Sequence, residues 1–253
     1  MNPLLFEIQL AFKRLVFRNL RFFMFDLTLP IVFYLLFTRV MNTGLQGTTL
    51  KIFYTTYLIN MMAYSVLLAG VMTVANTLSD DRRRRFNVFI ALSPVSQNRY
   101  YANMIIVFLT LNDLTMLALG GVAFLANDVH FSWIVWLELL GVMPLLSLPI
   151  ILIGVLIAQA GTSNVINLMS NLIVFPMAIL SGLWWPIQMM PSWLQQIGKF
   201  LPTYQITNVL NCITTQQLPA LHAIVVLLIW TGLLLGIIDV LHRTKTSREL
   251  NTI

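Results

Sequence analysis

Four consecutive arginines, Arg82 to Arg85, stand in a short polar segment between two long apolar stretches of the chain. Guanidinium groups bind carboxylates and phosphates, so this tetrad suits acidic side chains of a protein or the phosphates of lipid headgroups. Phe86, Phe89 and Ile90 follow at the three- to four-residue spacing that places side chains on one face of a helix. The pattern predicts a short amphipathic helix with a basic first turn and an aromatic face.

The residues on either side of the tetrad indicate where this helix begins and ends. Ser79, Asp80 and Asp81 supply an N-cap and negative charge, which are both favoured at a helix start, and Pro94 stops a helix. Two interpretations stay open on physical grounds. The helix either rests on lipid headgroups and fixes the topology of the loop, or inserts into a groove on a cytoplasmic motor protein.

Polar residues inside apolar stretches form a second group of candidate functional residues, because each is costly in lipid and usually faces protein or water. Asp113 lies near the middle of one stretch and is expected either to pair with a polar group of another helix or to contribute to substrate binding. Asn164, Asn167 and Asn171 recur on one helix face. These amides either line a translocation pathway or bond across a helix interface.

The remaining candidates form no catalytic or metal-binding constellation. Asp26 and Asp239 lie near the ends of apolar stretches, where they are expected to reach water or a basic neighbour, without an acid–base pair or nucleophile around them. Cys212 is the single cysteine, the three histidines are scattered, and Gly198-Lys199 lacks the rest of a phosphate-binding loop. The sequence predicts no catalytic residue, no metal and no nucleotide site, so any ATP would bind another subunit.

A segment rich in tryptophan and proline follows the fifth apolar stretch. Pro186 and Pro191 break it too often for a single span, yet it is too apolar for an ordinary loop. Trp184, Trp185 and Trp193 suit the interface between membrane and water. We expect short helices that dip partly into the outer leaflet and form an external gate.

The composition indicates whether these segments lie in water or in a membrane. With 58% hydrophobic and 9% charged residues, the chain has more apolar area than a soluble core of 253 residues could bury. Because a bilayer core needs about 20 helical residues and open sheet edges cannot face lipid, the fold class is all-α with six membrane spans. The predicted spans are Phe22 to Met41, Phe53 to Leu78, Tyr101 to Ala126, Trp133 to Ala158, Val165 to Trp184 and Leu221 to Leu241.

The distribution of positive charge predicts the topology. One side of the membrane would hold only Arg39, Lys51 and Lys199 of the fifteen Lys and Arg residues, so the other side, with both termini, is assigned to the cytoplasm. The residues before the first span predict an amphipathic interfacial helix on the inner leaflet. The chain is then one transmembrane domain, 1–253, with an interfacial helix at 1–21, a six-span bundle at 22–241 and a cytoplasmic tail at 242–253.

The external segment contains Ser181-Gly182, Trp185-Pro186, Met190-Pro191-Ser192-Trp193-Leu194 and Leu201-Pro202, and the internal loop contains Leu92-Ser93-Pro94-Val95-Ser96. These stretches resemble the membrane subunit of type-2 ABC exporters, the permease family that includes drug, antibiotic and polysaccharide exporters. The resemblance covers essentially the whole chain in length and number of spans. One departure is that Asp80-Asp81 and the arginine tetrad occupy a region where members often have a glutamate and a Gly-Thr pair.

The resemblance implies an N-terminal interfacial helix, a coupling helix between spans two and three, and re-entrant external helices between spans five and six. It also implies that two permease copies, identical or paired with a paralogue, associate with two cytoplasmic ABC ATPases that bind ATP and Mg²⁺. Phe86, Phe89 and Ile90 would enter the ATPase, and the arginines would contact its acidic residues or membrane lipid. No nucleic-acid partner is expected.

The function implied is export of an amphipathic or hydrophobic compound, such as a drug, antibiotic, peptide, lipid or glycan, across a bacterial cytoplasmic membrane. An alternative is an ion-coupled secondary transporter that uses Asp113, although the internal repeats typical of that class are not evident. A membrane-embedded enzyme is disfavoured because no catalytic constellation is present.

Overall fold

The computed structural model describes residues 26–41, 44–84 and 97–250, and every regular element within these ranges is helical, in agreement with the predicted all-α class. The π-helical segments Leu36–Val40 and Leu68–Thr73 extend α1 and join α2 to α3, and residues 26–28 are also π-helical. A short 3-10 helix covers Ile187–Met189. The α-helices are α1 (Leu29–Leu35), α2 (Gly47–Leu67), α3 (Val74–Arg83), α4 (Gln97–Asn127), α5 (Trp133–Ile157), α6 (Ser163–Leu180), α7 (Ser192–Phe200), α8 (Pro202–Thr214) and α9 (Leu221–Leu250).

Five stretches of the described helices are long and apolar enough to cross a membrane, and they correspond to predicted spans two to six. The first predicted span is described only from residue 26 onward, where helical backbone continues to Val40. The predicted interfacial helix at 1–21 lies outside the described residues. The five stretches are Gly47–Arg83, Ala102–Asn127, Trp133–Ile157, Ser163–Leu180 and Leu221–Leu241.

The predicted end of the fifth span, Trp184, lies four residues beyond the observed one. The helix stops at Leu180 because Gly182 adopts a φ of 76° that ends the helical path. The sixth predicted span agrees with the observed apolar stretch Leu221–Leu241, and its helix continues beyond it to Leu250. No glycine or proline interrupts residues 242–250, so nothing in them breaks the helix.

The predicted start of a new helix at Ser79, Asp80 and Asp81 is also wrong. These residues lie in the last two turns of α3, at the end of the continuous helix Gly47–Arg83. We call the end that the predicted topology assigns to the cytoplasm the inner end of each helix, and the opposite end the outer end. The stretch contains no helix breaker, and Arg82 and Arg83 carry positive charge favoured at a helix C-terminus. The helix therefore runs on through the serine and the aspartates into the arginines.

The continuous helix Gly47–Arg83 forms the centre of the bundle. Within the protein, 89% of its apolar part is buried, against 17% for Leu221–Leu241. Its outer half, α2, packs against α1, α4 and α8, and its inner part packs against α5 and α6. Every other described helix that could span a membrane leaves more of its surface for lipid or for another subunit.

Candidate functional site

The arginine-rich end of α3 lies beside the first residue of α6. Arg83 Nη1 donates to Ser163 Oγ at 2.7 Å and is 3.9 Å from Asp80 Oδ1. Arg82, Arg83 and Arg84 are all exposed, so their guanidinium groups are available to a partner surface. The inner end of the central helix is thus joined to the beginning of the fifth predicted span by one direct contact.

An open cavity of about 380 Å³ lies at the same end of the bundle, lined by Arg83 and residues 161–164. Asn164, one of the three predicted amides, stands on its wall. Arg85, Phe86, Phe89 and Ile90 lie outside the described residues, so the predicted aromatic coupling face stays a prediction.

The turn that follows α6 is fixed to the outer half of the central helix. Tyr57 Oη donates to the backbone oxygen of Trp184 at 2.5 Å, and Asn60 Nδ2 donates to the oxygen of Gly182 at 3.3 Å. The ring of Trp184 lies 5.6 Å from that of Tyr64 and 5.5 Å from that of Phe33, both at edge-on angles. Aromatic pairs in this geometry stabilise beyond their area burial. We call residues 181–185 the external return.

The structure separates the five predicted gate residues into two groups. Trp184 is half-buried inside the external return and contacts Trp185 at 6.0 Å between ring centroids, whereas Trp185 itself is 48% exposed. Pro186 and Pro191 immediately precede the 3-10 helix and α7, where a residue without an N–H is tolerated. Trp193, on α7, is 61% exposed. Trp184 therefore anchors the segment, and the other four lie on its surface.

Helix α7 packs on the outer end of α6 through Gly198, a residue that sequence reasoning did not select for packing. A Cβ added to Gly198 would lie 2.0 Å from the backbone oxygen of Leu180, so only glycine permits this approach. At the end of α7, Trp230 Nε1 donates to the oxygen of Phe200 at 2.8 Å. Trp230 follows Leu221 by nine residues, about 14 Å along α9. The end of α7 thus contacts the sixth predicted span about 14 Å from that span's outer end, measured along the helix.

The polar residues predicted to line a pathway occupy two separate helices. Asp113 is partly buried on α4, and its Oδ1 atom is enclosed without a hydrogen-bond partner among the described residues. On α6, Asn171 Nδ2 donates to the oxygen of Asn167 at 2.8 Å, while Asn164 is exposed one turn earlier. No hydrogen bond in the described part of the chain joins Asp113 to these amides.

The two acidic residues expected to reach water or a basic neighbour differ. Asp239 pairs with Arg243 at 2.9 Å, as expected. Asp26 is 1% exposed and accepts a hydrogen bond of 2.6 Å from Thr73 Oγ1, so the expected contact with water is wrong. Hydropathy places Asp26 near a span end, but only the packing of the central helix against the first helix reveals its burial.

These long apolar helices, packed around a buried central helix, define a multi-pass membrane protein. Residues 38–238 match the sequence model of the family described as "ABC-2 family transporter protein", and the chain belongs to this family. It is 28% identical over 200 residues to the putative transport permease YvfS of Bacillus subtilis (strain 168), an alignment that covers 77% of this chain and 79% of that protein. No solved structure matches.

Family membership assigns the chain a role as the transport permease subunit of an ABC transporter. Such a subunit works with an ATPase subunit and is generally not catalytic itself. The contacts above therefore belong to the membrane part of a larger transporter.

Proposed function

We propose that the protein is the permease of an ATP-driven exporter, which forms the translocation pathway for an amphipathic or hydrophobic substrate. The observation that carries this proposal is the continuous helix Gly47–Arg83. It joins an arginine-rich inner end to the external return, held through Tyr57 and Asn60. ATP and Mg²⁺ would bind a separate cytoplasmic ATPase, whose movement this helix would relay; the permease itself would bind no metal.

The contacts between helix ends support six spans with both termini in the cytoplasm. Asn127, at the end of α4, donates to Thr38 Oγ1 at 2.9 Å, so the first and third predicted spans end on the same side. Arg83, at the end of the second, meets Ser163 at the start of the fifth. Helix ends therefore alternate as six spans require, and the positive-inside rule places the arginine side in the cytoplasm of a bacterial cell.

The exposed face of α6 supports association with a second permease copy or a paralogue. Leu168 and Leu172 are 60% and 63% exposed on this helix, beside the half-buried Asn167 and Asn171. Amides are costly in contact with lipid, and they are accommodated where a second subunit or a water-filled pathway covers them. Both coverings would occur if two copies met along α6 and enclosed the pathway between them.

The depth of α7 supports a re-entrant external gate. Its last residue, Phe200, is bonded to Trp230 about 14 Å below the outer end of α9. The next helix, α8, returns toward the outside, because Gln216 just beyond it reaches Glu138 near the outer start of α5 at 3.3 Å. The external segment would thus enter the outer leaflet and leave it again, with Trp185 and Trp193 on its surface.

Asp113 motivates the competing proposal of an ion-coupled secondary transporter, because one of its oxygens is enclosed without a partner among the described residues. Family membership favours the ABC transporter instead. In an ABC transporter, Asp113 would be a structural or substrate-contacting residue and would take no part in ion coupling.

The proposal is tested by co-expressing and purifying the wild type and a Phe86→Ala/Phe89→Ala variant with ABC ATPase subunits from the same organism. We expect the wild type to retain the ATPase and to transport a hydrophobic dye in proteoliposomes only with ATP and Mg²⁺. The variant should lose the ATPase or its transport-linked hydrolysis, because the inserted aromatic face is removed.

A matched control is Phe124→Ala/Leu125→Ala, which truncates two apolar residues that are 52% and 83% exposed near the end of α4. This control should keep the ATPase, since it lies at the opposite end of the bundle from Arg83. A wild type that binds no ATPase and transports in response to an ion gradient would overturn the proposal and favour the secondary transporter.

A further inference from the structure

The central helix contains a π-helical segment near its middle, Leu68–Thr73, between α2 and α3. A π segment adds a residue to the turn and weakens the regular hydrogen-bond ladder, and such segments occur frequently at functional sites. Leu68, Gly70 and Val71 within it are buried. The segment therefore divides the helix into an inner arm, α3, and an outer arm, α2.

The π segment is held against α5 at unusually close range. A Cβ added to Gly154 would lie 2.0 Å from the backbone oxygen of Gly70 and 3.2 Å from the Cβ of Val74. A Cβ added to Gly70 would lie 2.7 Å from Cγ2 of Ile150. Both glycines are required for this crossing, because real Cβ atoms essentially never approach within 3.0 Å. The two backbones thus touch at one point, with no side chain between them.

The end of the π segment is held by the first helix. Thr73 Oγ1 donates to Asp26 Oδ2 at 2.6 Å, and both residues are buried. Breaking a buried hydrogen bond by removing one partner leaves the other unsatisfied and costs its desolvation penalty. The segment is therefore fixed on one side by the glycine crossing with α5 and on another by Asp26.

The two arms of the helix are attached to different parts of the molecule. The inner arm ends at the exposed arginines and contacts Ser163 of α6. The outer arm holds the external return through Tyr57 and Asn60. A helix that is fixed in its middle and attached at both ends transmits displacement of one end to the other.

We infer that the π segment is the pivot through which ATPase-driven movement of α3 reaches the external return. Thr73 and Gly154 are positioning residues that hold this pivot; neither is assigned contact with substrate. This inference rests on the proposed ATP-driven function. It predicts that loosening the pivot uncouples the external return from ATP hydrolysis and leaves ATPase binding intact.

The test uses Thr73→Val, which removes the hydroxyl at nearly constant volume, with Thr73→Ser as the matched control that keeps the donor. Each is made in a Cys212→Ser background with an environment-sensitive fluorophore on a cysteine at Gln188, an exposed residue just beyond the external return. Fluorescence and ATP hydrolysis of the reconstituted complex are measured with and without ATP and orthovanadate.

In the wild type and Thr73→Ser, we expect ATP with orthovanadate to change the fluorescence at position 188. In Thr73→Val, that response and transport should be lost while ATP hydrolysis persists. A merely structural role would instead lower assembly and hydrolysis together. Gly154→Ala provides a second variant that displaces the same pivot sterically, should Thr73→Val not fold.

Besides that joint loss, two further results overturn the inference, and they are distinguishable. If folded Thr73→Val or Gly154→Ala retains both transport and the fluorescence response, the pivot is refuted while ATP-driven transport stands. If the wild type binds no ATPase and the purified sample hydrolyses no ATP, the proposed function is refuted and the inferred pivot is refuted with it.

Discussion

Replacing Gly198 with alanine tests how α7 is seated on the bundle. The new Cβ would lie 2.0 Å from the oxygen of Leu180 and 2.9 Å from Cδ1 of Ile187. The isoleucine can rotate away, but the backbone oxygen cannot, so α7 must move outward by about 1 Å to reach the 3.0 Å limit of real Cβ contacts. Overpacking of this kind costs about 1–3 kcal/mol of unfolding free energy.

The displacement would also strain two hydrogen bonds close to Gly198. The oxygen of Lys199 accepts from Gln205 Nε2 at 2.5 Å, and the oxygen of Phe200 accepts from Trp230 Nε1 at 2.8 Å. Each such bond contributes roughly 0.5–1.5 kcal/mol net, so losing either adds to the cost of the methyl group. The predicted effect therefore exceeds that of an ordinary glycine-to-alanine change in a helix.

The assay is thermal unfolding of the purified permease in detergent, followed by tryptophan fluorescence. For a chain of this size, about 2–4 °C of midpoint is lost per kcal/mol. Gly141→Ala is the matched control, because Gly141 lies in helix α5 with nothing within 4 Å of an added Cβ. It should be neutral or slightly stabilising, since alanine favours helix over glycine. Equal midpoints for the two variants would refute the packing of α7 described above.

Three further predictions concern other contacts. Tyr57→Phe removes the donor to the Trp184 oxygen, at a cost of about 1 kcal/mol, and should speed hydrogen–deuterium exchange in residues 181–186; unchanged exchange would contradict the contact. Arg83→Ala and Ser163→Ala should show a coupling energy below about 1 kcal/mol in a double-mutant cycle of stability, because the contact is exposed. Asp113→Asn should retain ATP-driven transport in proteoliposomes. Loss of transport in a folded variant would support a role of this carboxyl in ion coupling.

The positions of the membrane helices could be predicted from local sequence. Helix α5, Trp133–Ile157, agrees with the predicted fourth span to one residue, because a strongly apolar run of that length begins directly after Ser132, its N-cap. The helix ends that were wrong depended on weaker signals. At Ser79, Asp80 and Asp81, cap-forming residue types were present, but the helix already under way continued through them.

The candidate site was predictable to a smaller degree. Tryptophan and proline marked the external segment, yet the division between anchored Trp184 and the exposed Trp185 depends on contacts with Phe33 and Tyr64, which lie more than a hundred residues away. The roles of Gly198 and Trp230 had no local signal, because a glycine and a tryptophan in apolar sequence are ordinary.

By itself, the sequence determined that the chain is helical, apolar and built to cross a membrane, because each helix must satisfy its own backbone hydrogen bonds in lipid. It also concentrated positive charge on one side. Only the tertiary structure decided that Gly47–Arg83 is the central helix, that Asp26 is buried against Thr73, and that Gly70 meets Gly154. Lipid is as apolar as the side chains, so hydropathy selects spans without selecting their neighbours; close packing and hydrogen bonds between helices make that choice.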